Sequence, residues 1–428
     1  MTNIAAHALE KAKKAGADKA SCSVTSGRKD EFNAEANKFS LLRTLFEDEL
    51  SLNVIMGGRK GTISINKLDM ASVDAAVEEC VAMAASAAPD EAEDIAPLIE
   101  NKNFTRNIGG ADMGKLFSRS KEFLQQVMDE YPNVSVEMQT HFGSGKTTYL
   151  NTNGVEFTDE GEHYYMQPMF SAKEGEAASS FNYYAAVVNN LNTPFMDWGM
   201  LRTLIAESAR SVHTRVVDDK FVGKIILTPA CEDMIWHTII GNFLSTGSLI
   251  NGTSRWKDAL DTKVTDAKLT MRAAPLHPSI LSDERFTSDG FVSQDFDYIK
   301  DGVLKSFALS LYGANKTGKP RAANTSYYNL EIAPGDAALA DMIKGVDKGI
   351  LVNRFSGAQP GPSGDVSGVA KNSFLIENGQ VTDAISETML SFNVVDILQN
   401  IPAISKERCE NGISVLPWFC FDGVTISG

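Results

Sequence analysis

No two of the five cysteines (Cys22, Cys80, Cys231, Cys409, Cys420) stand in a CxxC pair, and their number is odd. In a chain of 428 residues that scatter points to reduced thiols and a cytoplasmic setting. No apolar run approaches the roughly 18–20 residues that a membrane span needs. The opening stretch MTNIAAHALEKAKKAGADKA lacks an apolar segment followed by a small-residue cleavage site, so it does not read as a secretory signal. Its Ile4, Leu9 and Ala12 suit a surface helix instead. There is no GxSxG elbow. None of the six histidines is followed by another within five residues, so a zinc-peptidase helix of the HExxH type is absent. Basic residues are in deficit: the formal charge is −15, which repels phosphate backbones and disfavours direct nucleic-acid binding. No low-complexity tract or short-period repeat is present.

What is there reads as an ordinary globular protein, with 43% hydrophobic and 22% charged residues and enough length for two or three domains. SLNVIMGGRKGTISI reads as two short strands around Gly57-Gly58. Asp69 is placed to cap a helix whose Val73, Ala76, Val77, Cys80 and Ala84 share one stripe. Pro89 and the acidic DEAED end it and begin a linker. A second helix presents Leu116, Phe123, Leu124, Val127, Met128 and Tyr131, and Pro132 stops it. Strands follow, turning at Asn153-Gly154. The next helix turns Leu201, Leu204, Ile205, Ser208 and Val212 inward. From residue 222 the texture changes to short strands with Gly and Pro turns, including a hairpin at Asn378-Gly379. The expected fold is α+β: an N-terminal α/β region with antiparallel strands and amphipathic helices, then a mostly β C-terminal domain. The expected divisions are 1–90, 91–220 and 221–428.

Three segments invite a ligand reading. GSGKTT at 143–148 resembles part of a phosphate loop, but residue 140 is Thr where the motif needs Gly, and the sequence after it is strand-like; a polar hairpin turn is expected. QPGPSGDVSG at 359–368 reads as a tight loop at a strand end. Its Gly361, Gly364, Asp365 and Gly368 are also candidates for contact with a substrate, because glycine lets a ligand approach the backbone. The cluster Lys316, Lys319 and Arg321 reads as a solvated loop.

The fourth segment is HTIIGNF, after the strand-like KIILTPA. On a helix His237 shares a face with Met234, Ile240, Gly241 and Leu244. A buried structural histidine and a metal ligand are both compatible with that placement.

GGRKGTISINKLD, LTPA, YGANKTGKPRAANTS leading to NLEIAPGD, RFSGAQPGPSGDVSGVAKNSFLIENGQV and FDGVTISG occur in that order along nearly the whole chain. On these segments the sequence resembles the TldD/PmbA family, known as modulators of DNA gyrase and as metalloprotease-related, and within it the PmbA (TldE-like) branch. In TldD-like members the helix carries His-Glu-x-x-x-His, which with a later cysteine forms a zinc site. Here His237 matches the first histidine, Thr238 stands in place of the Glu, Ile239, Ile240 and Gly241 intervene, and Asn242 replaces the second histidine. Cys409 falls near the ligand cysteine. Residues five apart on an ideal helix lie about 140° apart, so the helix of such a site must loosen, and Gly241 permits that.

The resemblance implies a degenerate site with no catalytic residue and no metal on this chain, which is then inactive alone. Thr238 cannot act as a general base and Asn242 is a poor zinc ligand. It implies a subunit that works with a zinc-bearing TldD-like paralogue, or with itself as a dimer, on unfolded or extended peptides, including a peptide antibiotic precursor and an antitoxin. Three rival readings stand beside it: a peptidase active alone with ligands such as Cys409 plus Asp or Glu side chains, a non-enzymatic regulator that binds gyrase, and a homodimeric peptide-binding module.

Overall fold

A computed structural model describes residues 1–357 and 360–428, with the side chains of Asp233 and Met234 outside the description. Gln359, the first residue of the proposed glycine-rich loop, therefore lies outside the described residues. Two sheets dominate. The first takes strands from residues 19–188 and the second from residues 221–427, so the fold is α+β.

The first sheet is built on very long strands: β1 (Lys19–Glu35), β2 (Lys38–Met56), β3 (Arg59–Ile65), β4 (Lys102–Arg106), β5 (Val134–Asn151) and β6 (Glu156–Glu174). Their order is β3-β2-β1-β5-β6-β4, antiparallel except for the β4–β6 pair. The turn at Gly57-Gly58 is present, both residues at positive φ (53° and 71°), but the strand before it runs from Lys38 rather than being short. Its first half is exposed and mixes Phe39, Leu41, Leu42, Leu45 and Phe46 with polar residues, so it carries no regular apolar alternation by which to recognise it.

Side chains alternate along β1, and its even positions carry the core. Ala20, Cys22 and Val24 pack under α1 (Thr2–Lys14) and α2 (Met70–Ser86), while Phe32 and Ala34 join the core beneath α3 (Met113–Glu130) and α4 (Leu201–Arg210). Asp69 accepts from Ser72 N at 3.0 Å and caps α2, which buries Val73, Ala76, Val77, Cys80 and Ala84 as its spacing demands. In α3, Leu116, Phe123, Leu124 and Val127 are buried, but Met128 is exposed: it lies at the edge of the stripe, beyond the reach of the sheet.

GSGKTT is not a turn. It lies inside β5, where Gly145 pairs with Gly27 of β1 and Gly161 of β6. A Cβ on Gly143 would come within 2.9 Å of the His163 ring, so glycine here makes room for a neighbouring side chain.

The second sheet is organised around strand Val415–Ser427. It pairs antiparallel with Phe221–Leu227, Thr388–Asn393 and Ala403–Glu410, and touches Leu330–Ile332 in parallel. Phe221–Leu227 also pairs in parallel with Lys348–Val352. Each described α-helix after residue 221 has seven residues or fewer. The hairpin at Asn378-Gly379 forms, with φ of 50° and 74°. Lys316 is exposed but not on a loop: it lies on helix Leu311–Thr317 and pairs with Asp90 at 2.8 Å, while Arg321 stacks over Phe291 at 3.8 Å. Acidic and aromatic groups far away in sequence give these cations partners. Among the described residues, no helix is long and apolar enough to cross a membrane.

Candidate functional site

Strand Phe221–Leu227 delivers the chain through Thr228, Pro229 and Ala230 into helix α5 (Asp233–Ile239). Ile235, Trp236, Ile239 and Ile240 are buried, and Trp236 donates from Nε1 to Glu232 at 2.9 Å while packing on Phe419. These side chains fix the rotation of the helix. His237 consequently sits at the margin of the buried face. Its ring is half-buried, where Ile240 and Leu244 are fully buried, and edge-on to Tyr328, centroids 4.8 Å apart. The side chain of Met234, expected on the same face, lies outside the described residues. Thr238 is buried, and among the described residues its hydroxyl has no hydrogen-bond partner.

The helix then widens into a π-helical turn over Ile240–Leu244. Widening carries residues five apart toward the same side, the loosening that a His-x-x-x-x-His spacing requires. Two local features hold it. Phe243 and Leu244 are drawn into the core. Ser245 leaves the helix and donates from Oγ to Gly241 O at 2.6 Å, satisfying the carbonyl that its own N–H would otherwise serve. A Cβ on Gly241 would meet nothing within 4 Å, so the widening does not depend on crowding relieved by that glycine.

Asn242 donates from Nδ2 to the carbonyls of Pro360, at 2.7 Å, and Gly361, at 3.4 Å. Arg255 and Asn393 donate to Ser363 O at 2.8 and 2.9 Å, so three side chains hold residues 360–363 by their carbonyls. Gly364 turns the chain at φ 84°. Asp365 and Gly368, expected in the loop, lie in strand Asp365–Lys371. Gly368 is needed there because a Cβ would run into the Phe355 ring and come within 2.7 Å of Gly357 Cα. Asp365 accepts from Asn393 at 2.9 Å, which holds its carboxyl below the usual range.

Cys409 is at the end of strand Ala403–Glu410, opposite Leu416. Its thiol is buried among the core side chains of the first sheet and lies 3.3 Å from Tyr184 Oη. Burial pushes the thiol pKa up, and the Tyr184 hydroxyl is raised well above its usual value for the same reason. A cavity of about 100 Å³ opens beside them, walled by Tyr183, Tyr184, Pro229, Ala230, Tyr328 and Cys409. Tyr328 joins the two parts of the site, since it both meets His237 and lines the cavity. Asn242 faces away to the loop. Among the described residues, no three His, Cys, Asp or Glu side chains come together as a metal-ligand set. The tyrosines were not singled out in the sequence, where NYYAAVV reads simply as a strand; the adjacent Tyr183-Tyr184 pair is the signal that was there to find.

This two-sheet α+β fold has known relatives. Residues 222–428 match the PmbA/TldA metallopeptidase C-terminal domain. The chain is 22% identical over 419 residues to the metalloprotease PmbA homolog of Haemophilus influenzae, covering 94% of this chain and 90% of that one. It is 24% identical over 195 residues to metalloprotease MJ0996 of Methanocaldococcus jannaschii, a match that takes in 43% of that protein's length and 43% of this chain's. The TldE crystal structure from Thermococcus kodakarensis superposes with a TM-score of 0.86 at 20% identity, covering 99% of this chain and 100% of that one. A Bacteroides thetaiotaomicron structure, solved as a candidate modulator of DNA gyrase, gives 0.87 at 22% identity, covering 100% of this chain and 98% of that one. Residues 222–428 thus match the C-terminal domain of this family, and the chain as a whole is similar to a PmbA protein.

Proposed function

We propose that this chain is a non-catalytic subunit of a TldD/PmbA-type metallopeptidase, which handles unfolded or extended peptides together with a zinc-bearing TldD-like partner. The observation that carries the reading is the fate of the side chains at the ligand positions. Asn242 commits its amide to the carbonyls of Pro360 and Gly361, and the Cys409 thiol is kept protonated by burial beside Tyr184. Zinc takes thiolate, imidazole or carboxylate donors, and a catalytic centre needs three of them plus an open position. His237 with a protonated thiol, an amide and a buried Thr238 does not fit zinc. No step of peptide hydrolysis is assigned to this chain.

What the chain offers is a binding surface. Tyr183, Tyr184 and Tyr328 are flat, amphipathic walls around a small cavity with Leu416 and Ile413 below, suited to one apolar side chain of a peptide. Main-chain pairing to strand edges would hold the rest of an extended substrate without reading its sequence.

The test is zinc content by elemental analysis of the tag-free protein and of His237→Ala, alongside peptide cleavage by a TldD-like chain with and without this subunit. Less than about a tenth of an equivalent of zinc is expected in both proteins, with cleavage dependent on the pair. One equivalent, lost in His237→Ala, would replace this reading with a peptidase active alone. Equal cleavage without this subunit would refute the partnership.

A further inference from the structure

Three walls of the cavity beside Cys409 are fixed by their own neighbours. The Tyr184 ring is buried with its hydroxyl on the Cys409 thiol, and a Cβ on Gly199 (φ 48°) would collide with that hydroxyl. Tyr183 belongs to a segment that the second half of the chain holds. Arg354 donates to Phe181 O and lies over the Phe181 and Tyr183 rings, 3.5 and 5.3 Å from their centroids. Asn372 donates from Nδ2 to Ser180 O and Phe181 O at 3.0 and 3.1 Å. Leu416, the third wall, is buried opposite Cys409. Tyr328 closes the remaining side; it is 65% exposed and meets the His237 ring. Two polar atoms at the cavity are already engaged: the Tyr184 hydroxyl by Cys409, and Asn411 Oδ1 by the N–H groups of Ile413 and Ser414 at 3.0 and 2.9 Å. A polar side chain entering here would lose water without regaining those partners, so the occupant is apolar.

We infer that this cavity is a size-selective pocket for one leucine or isoleucine side chain of an extended peptide, and that it excludes aromatic residues. The volume carries the distinction. A core cavity of roughly 150 Å³ holds benzene, which is about 25 Å³ per carbon. The cavity here, about 100 Å³, therefore has room for about four carbons. The side chains of leucine and isoleucine match that number. Alanine leaves most of the space empty, so wall atoms lose their contacts. Phenylalanine overfills it, and its ring gains room only by driving Tyr328 from His237 or Tyr183 from Arg354. Tyr183 is shared with an open groove of about 500 Å³, lined also by Gln139, Gln167 and Met169 of the first sheet. That groove gives the rest of an extended chain a path away from the cavity. The inference rests on the peptide-binding reading above and adds which side chain is read.

The test titrates the full chain, by calorimetry, with capped nonapeptides of alternating Ser and Thr that differ only in the central residue. The leucine and isoleucine peptides should bind about tenfold more tightly than the alanine peptide, since a few buried carbons are worth at least that factor. They should also bind about tenfold more tightly than the phenylalanine peptide. Tyr328→Ala removes an exposed wall, so the phenylalanine peptide should then bind at least as tightly as the leucine peptide, with the circular dichroism spectrum unchanged. Equal affinities for all the peptides, or a parent that prefers phenylalanine, would overturn the size selection while leaving peptide binding in place. A leucine preference that Tyr328→Ala leaves untouched would overturn the assignment to this cavity. No binding of any peptide up to about 10 mM would remove the peptide-binding reading and this inference with it.

Discussion

The side-chain amide of Asn242 donates to the carbonyl of Pro360 at 2.7 Å, across 118 positions of sequence. The Asn242 side chain is thereby employed as a loop anchor. Removing it as Asn242→Ala should release residues 360–364, seen as faster amide exchange there, and cost about 1 kcal/mol. Asn242→His should also free the loop without bringing zinc to stoichiometry, since Cys409 stays protonated. Tight zinc binding by that single variant would contradict the ligand-position argument.

Cys409 and Tyr184 form a second pair, both largely buried at the wall of the cavity. Tyr184→Phe removes only the hydroxyl contact, so a loss of about 0.5–1.5 kcal/mol in unfolding free energy is expected. Thiol reactivity toward a disulfide reagent should stay low in the folded variant, because burial is the main cause of the raised thiol pKa. A large gain in labelling rate would show that the hydroxyl, not burial, protects the sulfur.

Glu207 of α4 accepts from Asn353 Nδ2 at 2.6 Å, and burial pushes its carboxyl up to about 7. A folded pKa above the unfolded value of 4.5 means that the native state holds the proton more tightly. Its contribution is therefore complete below pH 4.5 and declines as pH rises toward 7, by up to about 3 kcal/mol. Glu207→Gln should flatten stability across that window, measured by denaturant titration at several pH values; an unchanged slope would refute the assignment.

His141 acts in the opposite sense. Burial, then the neighbouring His163, depress its pKa from 6.5 to about 4. The unfolded chain takes a proton below pH 6.5 that the native state refuses, so stability falls as pH drops from 6.5 toward 4. His141→Asn should lessen acid sensitivity in that range relative to the parent, whatever it does to stability at neutral pH.

Two glycines near the site should respond differently to alanine. Gly368→Ala forces a methyl into the Phe355 ring and Gly357 backbone and should cost about 1–3 kcal/mol or more. Gly241→Ala faces open space in a helical turn and should stay within about 1 kcal/mol of the parent. Thermal melts of both decide the point.

These contrasts show what a sequence exposes and what it hides. The stripe of α2, its Asp69 cap and the hairpins at Asn153-Gly154 and Asn378-Gly379 depend on neighbours within a few residues, and they were readable. The full length of β2 was not, because its exposed half follows no apolar period. GSGKTT passed for a turn because the side chain that needs the space at Gly143, His163, comes from the next strand. At the site, the helix and its five-residue spacing were legible. The partners of His237, Asn242 and Cys409 were not: Tyr328, Pro360 and Tyr184 lie 91, 118 and 225 positions away, and only the folded chain brings them together.

Strand Phe221–Leu227 is flanked by Lys348–Val352 and Val415–Ser427, neither of which is close to it in sequence. During synthesis the apolar Ile225, Ile226 and Leu227 emerge long before either neighbour. At about 5–20 residues per second, roughly 10–40 s separate this strand from its more distant mate. For that interval the nascent chain carries an unsatisfied apolar strand, which makes it a natural client for a chaperone that shields such segments.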